Sequence, residues 1–154
     1  MTMREEENDG GPGETRHAAL SLERLAVQLL QYRPREARTN DLSTQQIIIM
    51  AAIADRPGCG VNALSAQTGM FQSTISRSLS GLLKKGLVRR EKSPKDTRAV
   101  ELFLSDEGQR IISSTRQEWR DRVSAMLAEM VPSDRASLLT GLDLLVRAIP
   151  RLSD

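Results

Sequence analysis

The chain has 154 residues, 39% of them hydrophobic and 27% charged, with 22 basic against 20 acidic side chains and a net charge of +2. That balance fits a soluble globular protein of one domain, with or without helical extensions, and argues against a disordered or a membrane class. No apolar run approaches the ~18 residues that span a bilayer. The first residues lack the apolar stretch of a secretory signal. The single cysteine, Cys59, allows no internal disulfide, so a reducing cytoplasm is the expected compartment.

Residues 1–14 carry five acidic side chains against Arg4 and include the run Gly10-Gly11-Pro12-Gly13. They offer too little apolar surface to order themselves and are expected to form a disordered acidic tail. Residues 15–35 follow as a helical segment. Ala18, Leu22, Leu25, Leu29 and Tyr32 recur at helical spacing, and Pro34 ends or kinks the helix. Residues 35–41 read as a polar link.

Ser43-Thr44-Gln45-Gln46 has the form of a capping box, and the apolar run Ile47–Ile53 behind it predicts a helix buried on all sides. Arg56-Pro57-Gly58 stops that helix. A short helix is expected over Val61–Thr68, with Gly69 suited to the left-handed position just past its end. From Gln72 to Lys85, Ile75, Leu79 and Leu82 mark an apolar face. Ser73, Thr74, Ser76, Arg77, Ser80 and Lys84 form the opposite face. Two strand-like pieces, residues 87–92 and 99–104, flank the polar tip Ser93-Pro94-Lys95-Asp96-Thr97-Arg98. Ser105 then caps a long helix with Asp106 and Glu107 in its first turn. Its apolar stripe runs through Ile111, Thr115, Trp119, Val123, Met126 and Met130. Pro132-Ser133-Asp134 opens a last helix with Leu138, Leu142, Leu145 and Ile149 on one face.

The modest net charge conceals an uneven distribution. Residues 71–98 hold eight basic against two acidic side chains, a net +6, which suits either an anionic partner or a solvated face. The order of elements separates these readings. Helix, short helix, glycine turn, amphipathic helix and basic hairpin make a winged helix-turn-helix. Its second helix must be apolar on the seated side, with short polar groups and Arg where it enters the major groove. Residues 72–84 meet that demand without an acidic residue. The fold class expected is therefore mainly α with a small β-hairpin wing: a winged helix-turn-helix over residues 42–104, flanked by N- and C-terminal helices at 15–35 and 105–150. The terminal stripes exceed what so small a core can cover, so these helices are expected to dimerise.

The stretch from Leu42 to Arg110 resembles the core of the MarR family of transcription regulators. The resemblance is carried by Leu42-Ser43-Thr44-Gln45-Gln46, Thr74-Ile75-Ser76-Arg77 and Lys85-Gly86-Leu87-Val88. It is carried above all by Asp96-Thr97-Arg98 followed by Leu102, Leu104-Ser105 and Gly108. Phe71 and Gly60 depart from the family, which often has a Ser, or a Ser or Thr, capping the helices that begin there. The resemblance implies a homodimer whose terminal helices intertwine, and which offers two winged modules to a palindromic operator on double-stranded DNA. It also implies repression, commonly relieved by a small-molecule effector. The DNA-binding residues it implies, together with the surface pattern, are Gln72, Ser73, Thr74, Ser76, Arg77, Lys84, Arg89, Lys95 and Arg98. Arg98 resembles the family's wing arginine and is suited to a narrow minor groove, to a structural pair with Asp96, or to both. Arg89, Arg90 and Lys95 suit phosphate contacts or solvated charge.

Other chemistries find little footing. One histidine, His17, and one cysteine cannot assemble a soft-ligand metal site, and no constellation for catalysis stands out. The expectation is a protein with no cofactor, no metal, no membrane partner and no enzymatic activity. Four aromatics, Tyr32, Phe71, Phe103 and Trp119, give little support for a pocket suited to aromatic ligands. Cys59 reads as a small turn residue, with oxidant sensing as the alternative. A winged-helix module for protein contacts is the other alternative, and the basic, polar face of residues 73–77 argues against it.

Overall fold

The computed structural model describes residues 12–94 and 99–148, with side chains unspecified at Pro12 and Leu30. Among the described residues, seven helices and one hairpin follow in the order α1 (Pro12–Gln31), α2 (Arg35–Thr39), α3 (Thr44–Asp55), α4 (Val61–Thr68), α5 (Gln72–Lys84), β1 (Val88–Lys92), β2 (Val100–Leu104), α6 (Asp106–Glu129) and α7 (Pro132–Ala148). The fold is mainly helical with a two-stranded wing, as the sequence predicts. Residues 1–11, the wing tip Lys95-Asp96-Thr97-Arg98 and Ile149 lie outside the described residues.

Helix starts follow local chemistry. Ser43 Oγ accepts from Gln46 N at 3.2 Å while Gln46 Oε1 accepts from Ser43 N at 3.0 Å, a reciprocal capping box. Ser105 Oγ accepts from Gly108 N at 3.1 Å and starts α6. Gly69 ends α4 with φ +68°, where a residue without Cβ carries no steric cost. The first helix begins at Pro12 rather than at residue 15, so residues 12–14 are not part of the expected tail. A proline, whose φ is already helical, and Glu14 both favour a helix start there.

The core lies where α3, α4, α5, the wing and the first half of α6 meet. Ile49, Ile53, Leu64, Ile75, Leu79, Leu82 and Ile111 are fully sealed from solvent. The antiparallel strands pair from Val88↔Leu104 to Lys92↔Val100, one residue inside the expected limits at each strand's start. Cys59 adds a third backbone segment to this sheet. Gly58 N donates to Leu102 O at 2.9 Å, and Leu102 N to Cys59 O at 3.1 Å. Gly108 lets α6 pass against the end of the preceding turn, since a Cβ there would stand 2.2 Å from Leu87 O.

Two expectations need correction. The polar link 35–41 contains α2, whose one buried side chain, Ala37, packs into the core. Its first turn is held by Glu118 of α6, which accepts from Arg35 N at 2.8 Å. A five-residue helix with one apolar side chain leaves no periodicity to read, and its partner lies 83 residues away. The α3 run is not sealed on all sides either: Ile48 is exposed, and with Ile47 it borders a cavity.

Candidate nucleic-acid interface

Burial of Ile75, Leu79 and Leu82 orients α5. Ser73, Arg77, Ser80 and Lys84, at i, i+4, i+7 and i+11, fall on the opposite side and are all exposed. Ser76 is exposed on the flank. Thr74, expected on the outer face, is half-buried. It shares a half-buried flank with Ser78, one turn further along. Gln72 is exposed in the first turn, where its Nε2 donates to Asn62 Oδ1 of α4 at 3.1 Å. That bond ties the two helices of the helix-turn-helix together at their outer edge. Neither helix contains an acidic residue, and none occurs between Arg56 and Arg90.

The structure sorts the basic residues into two groups. Arg77, Lys84, Arg90 and Lys92 are exposed and have no hydrogen bond or ion pair among the described residues. Lys85, the next residue after Lys84, is committed instead: its Nζ donates to the carbonyls of Asn40 at 2.8 Å and Asp41 at 2.7 Å. Arg89 is also engaged, paired with Glu91 along the strand and stacked 5.0 Å from the centre of the Phe103 ring. Arg89 therefore offers a partly neutralised charge, and Arg90, on the other face of β1, an open one. Lys95 and Arg98 lie outside the described residues.

A cavity of about 570 Å³ opens between α1, α2, α3 and α6. Leu29, Tyr32, Ile48, Thr115 and Trp119 line it, with Arg33 and Arg120 among its bordering residues. Two of the chain's four aromatics meet here, with Tyr32 and Trp119 ring centres 5.4 Å apart. The sparse aromatic content thus concealed an aromatic-walled space, because residues 87 positions apart converge only in the fold. Thr115 Oγ1 is buried at its wall without a hydrogen-bond partner among the described residues. A threonine inside an otherwise apolar stripe was the one local signal of this site. Beside it, Glu118 accepts from Tyr32 Oη at 3.0 Å and from Arg122 Nη2 at 3.1 Å, besides Arg35 N. These donors, the Arg35 N–H first among them, hold its carboxyl below the usual range.

Cys59 is buried, and burial pushes its thiol pKa up, away from the thiolate that oxidants attack. Among the described residues no group of three His, Cys, Asp or Glu could hold a metal ion. None of the described helices is long and apolar enough to cross a membrane.

Comparison with known proteins agrees with this arrangement. The sequence profile of the MarR family matches residues 40–99. The transcriptional regulator HosA of Escherichia coli O157:H7 is 33% identical over 97 residues, covering 58% of this chain and 72% of that protein. The chain belongs to the MarR family. The match to HosA of Escherichia coli O111:H- is 36% identical over 74 residues, 48% of this chain, and spans 55% of that protein. Among solved structures, Streptococcus pneumoniae FabT in complex with DNA superposes with a TM-score of 0.78 at 21% identity, covering 90% of this chain and 99% of that one. The fold is thus shared with that structure, and the relatives named above are transcriptional regulators rather than enzymes.

Proposed function

We propose that the protein is a homodimeric, sequence-specific DNA-binding transcription regulator. In this reading it represses from a palindromic operator and is released by a small-molecule effector. The observation that carries the DNA reading is the outer stripe of α5. Ser73, Arg77, Ser80 and Lys84 present short polar groups and two uncommitted cations, on a helix that the core holds rigidly from behind. Short side chains allow close approach to base edges, and Arg suits guanine or phosphate. Arg90 and Lys92 extend the cationic surface onto the wing, and Lys95 and Arg98 are proposed to continue it, with Arg98 in the minor groove.

Dimerisation is supported by α1 and α7, whose apolar side chains find no core in one copy; no residue of α7 is buried. A closed two-fold pair is the commonest way to cover such faces. Effector binding is supported by the cavity, which combines apolar walls, the unpartnered Thr115 hydroxyl and bordering guanidinium groups. That chemistry suits a small, largely apolar carboxylate.

The test is binding to duplexes from the DNA flanking the protein's own coding sequence, followed by fluorescence anisotropy. A specific duplex is expected to bind at least about 10³-fold more tightly than a random one. If each protomer neutralises about three to five phosphates, log K should fall against log salt with a slope of about −5 to −9. Equal affinity for specific and random duplexes at every site tried overturns the reading. Small aromatic and aliphatic carboxylates, titrated into the complex, test release.

A further inference from the structure

The helix that carries the polar stripe starts with a residue its own fold does not use. Phe71 is the N-cap of α5, with φ −62° and ψ 143°, and it supplies no side-chain cap. Its carbonyl accepts from Ile75 N at 3.1 Å, as any residue's would. Its ring is 81% exposed, more than any other large apolar side chain among the described residues. A hydroxyl or amide side chain at this position would satisfy a free N–H of the first turn, so local stability favours Ser, Thr, Asn or Asp. Met70, one residue earlier, packs against the core, and Gln72, one residue later, is bonded to Asn62. The ring thus stands alone at the leading end of the polar, acid-free surface. The other exposed large apolar side chains fall on α1, α6 and α7, except Ile48 at the cavity, Val100 in the wing and Val131 between α6 and α7.

Recognition helices read base edges with their N-terminal residues. The major groove offers one apolar feature there, the C5-methyl of thymine, and an aromatic ring is a suitable partner for it. We infer that Phe71 is a specificity-determining residue that reads thymine methyl groups at the operator position facing the start of α5. The inference rests on the DNA-binding reading above. The occupant is DNA rather than a protein because the ring shares its surface with Arg77 and Lys84 and with no carboxylate. The loss of a cap at this position is offset by contact made only in the complex.

The experiment selects binding sites from random duplexes with the wild-type chain, Phe71→Ser and Phe71→Leu. Serine restores a capping side chain, so the first variant is expected to fold at least as well as wild type. The wild-type motif should contain a thymine that becomes degenerate with Phe71→Ser. Replacing that thymine by deoxyuridine removes only the methyl group. It should weaken wild-type binding about three- to fivefold, the effect of one buried methyl, and leave Phe71→Ser unchanged. Phe71→Leu should keep part of the effect. If Phe71→Ser selects the wild-type motif with the same deoxyuridine sensitivity, Phe71 does not read DNA. If the thymine is required but its methyl is not, methyl reading is overturned. If wild type selects no motif at all, the DNA-binding reading itself fails, a result distinct from the other two.

Discussion

Around Ile53 and Leu79 the large apolar side chains are sealed from water, whereas along α1 and α7 the apolar side chains that the structure describes remain at least partly open. The long helix α6 belongs to both regions. Ile111, Ile112 and Thr115 are buried in the core, while Trp119 and Met126 further along the same helix are 41% and 52% exposed. The difference teaches where each region finds its stability. The core elements bury one another's faces within one copy. A helix such as α1 gains little from its own hydrogen bonds, because most helical stability in proteins comes from packing an apolar face, and one copy leaves that face of α1 largely open. The proposed reading surface sits on the self-sufficient region, and the helices proposed to dimerise lie in the region whose apolar faces stay open.

That contrast can be broken at its weaker side first. Leu142 and Val146 lie one turn apart on α7 and are 40% and 68% exposed in a single copy. Leu142→Glu combined with Val146→Glu should convert the proposed dimer to a monomer, read by light scattering. Operator affinity should fall by roughly 10²–10⁴-fold as the two half-sites are uncoupled, while the winged core stays folded by circular dichroism. A doubly substituted chain that remains dimeric and binds normally would remove α7 from the interface.

On the other side, Leu79→Ala empties part of a fully buried site and should cost about 2–5 kcal/mol in urea denaturation. The terminal helices themselves need not change. Arg77→Ala tests the surface that the same helix presents outward. Arg77 is exposed and unpaired among the described residues. Its loss should shift stability by no more than about 0.5 kcal/mol and DNA affinity by about 1–3 kcal/mol. An intact melting curve with unchanged DNA affinity would dissociate α5 from base reading.

The core was largely legible in the sequence because its signals are local. Ser43 and Gln46 are three residues apart, Ile75, Leu79 and Leu82 repeat along one helix, and Ser105 stands immediately before the acidic first turn that it caps. What escaped is built from distant partners. The α2 turn needs Glu118, the third segment of the wing sheet needs Cys59 against Leu102, and the cavity needs Tyr32 against Trp119. Chain spacing carries no trace of such pairs. The terminal helices gave the opposite case: their apolar stripes were plain, but little among the described residues covers them.

Glu118 marks the joint between the two regions, and its carboxylate gives the smallest and most selective test. It sits on α6 between buried Thr115 and exposed Trp119. It accepts from Tyr32 at the end of α1, from the backbone N–H of Arg35 at the start of α2, and from Arg122 on its own helix. All three donors favour the ionised form, so the folded-state pKa lies below the unfolded value. A carboxyl with a depressed folded pKa contributes stability that is fully present above its unfolded pKa, about 4.3, and is lost as pH falls through the folded value. Glu118→Gln keeps the shape and one acceptor oxygen but removes the charge. The variant should therefore be less stable than wild type at pH 7, with the gap narrowing below about pH 4.3. Because the lost contacts join α1 and α2 to α6 rather than lying within the core, hydrogen exchange should speed up in residues 32–39 and stay unchanged in α5. A stability gap that is constant with pH, or faster exchange in α5, would show that Glu118 does not act as a charged clasp at this joint.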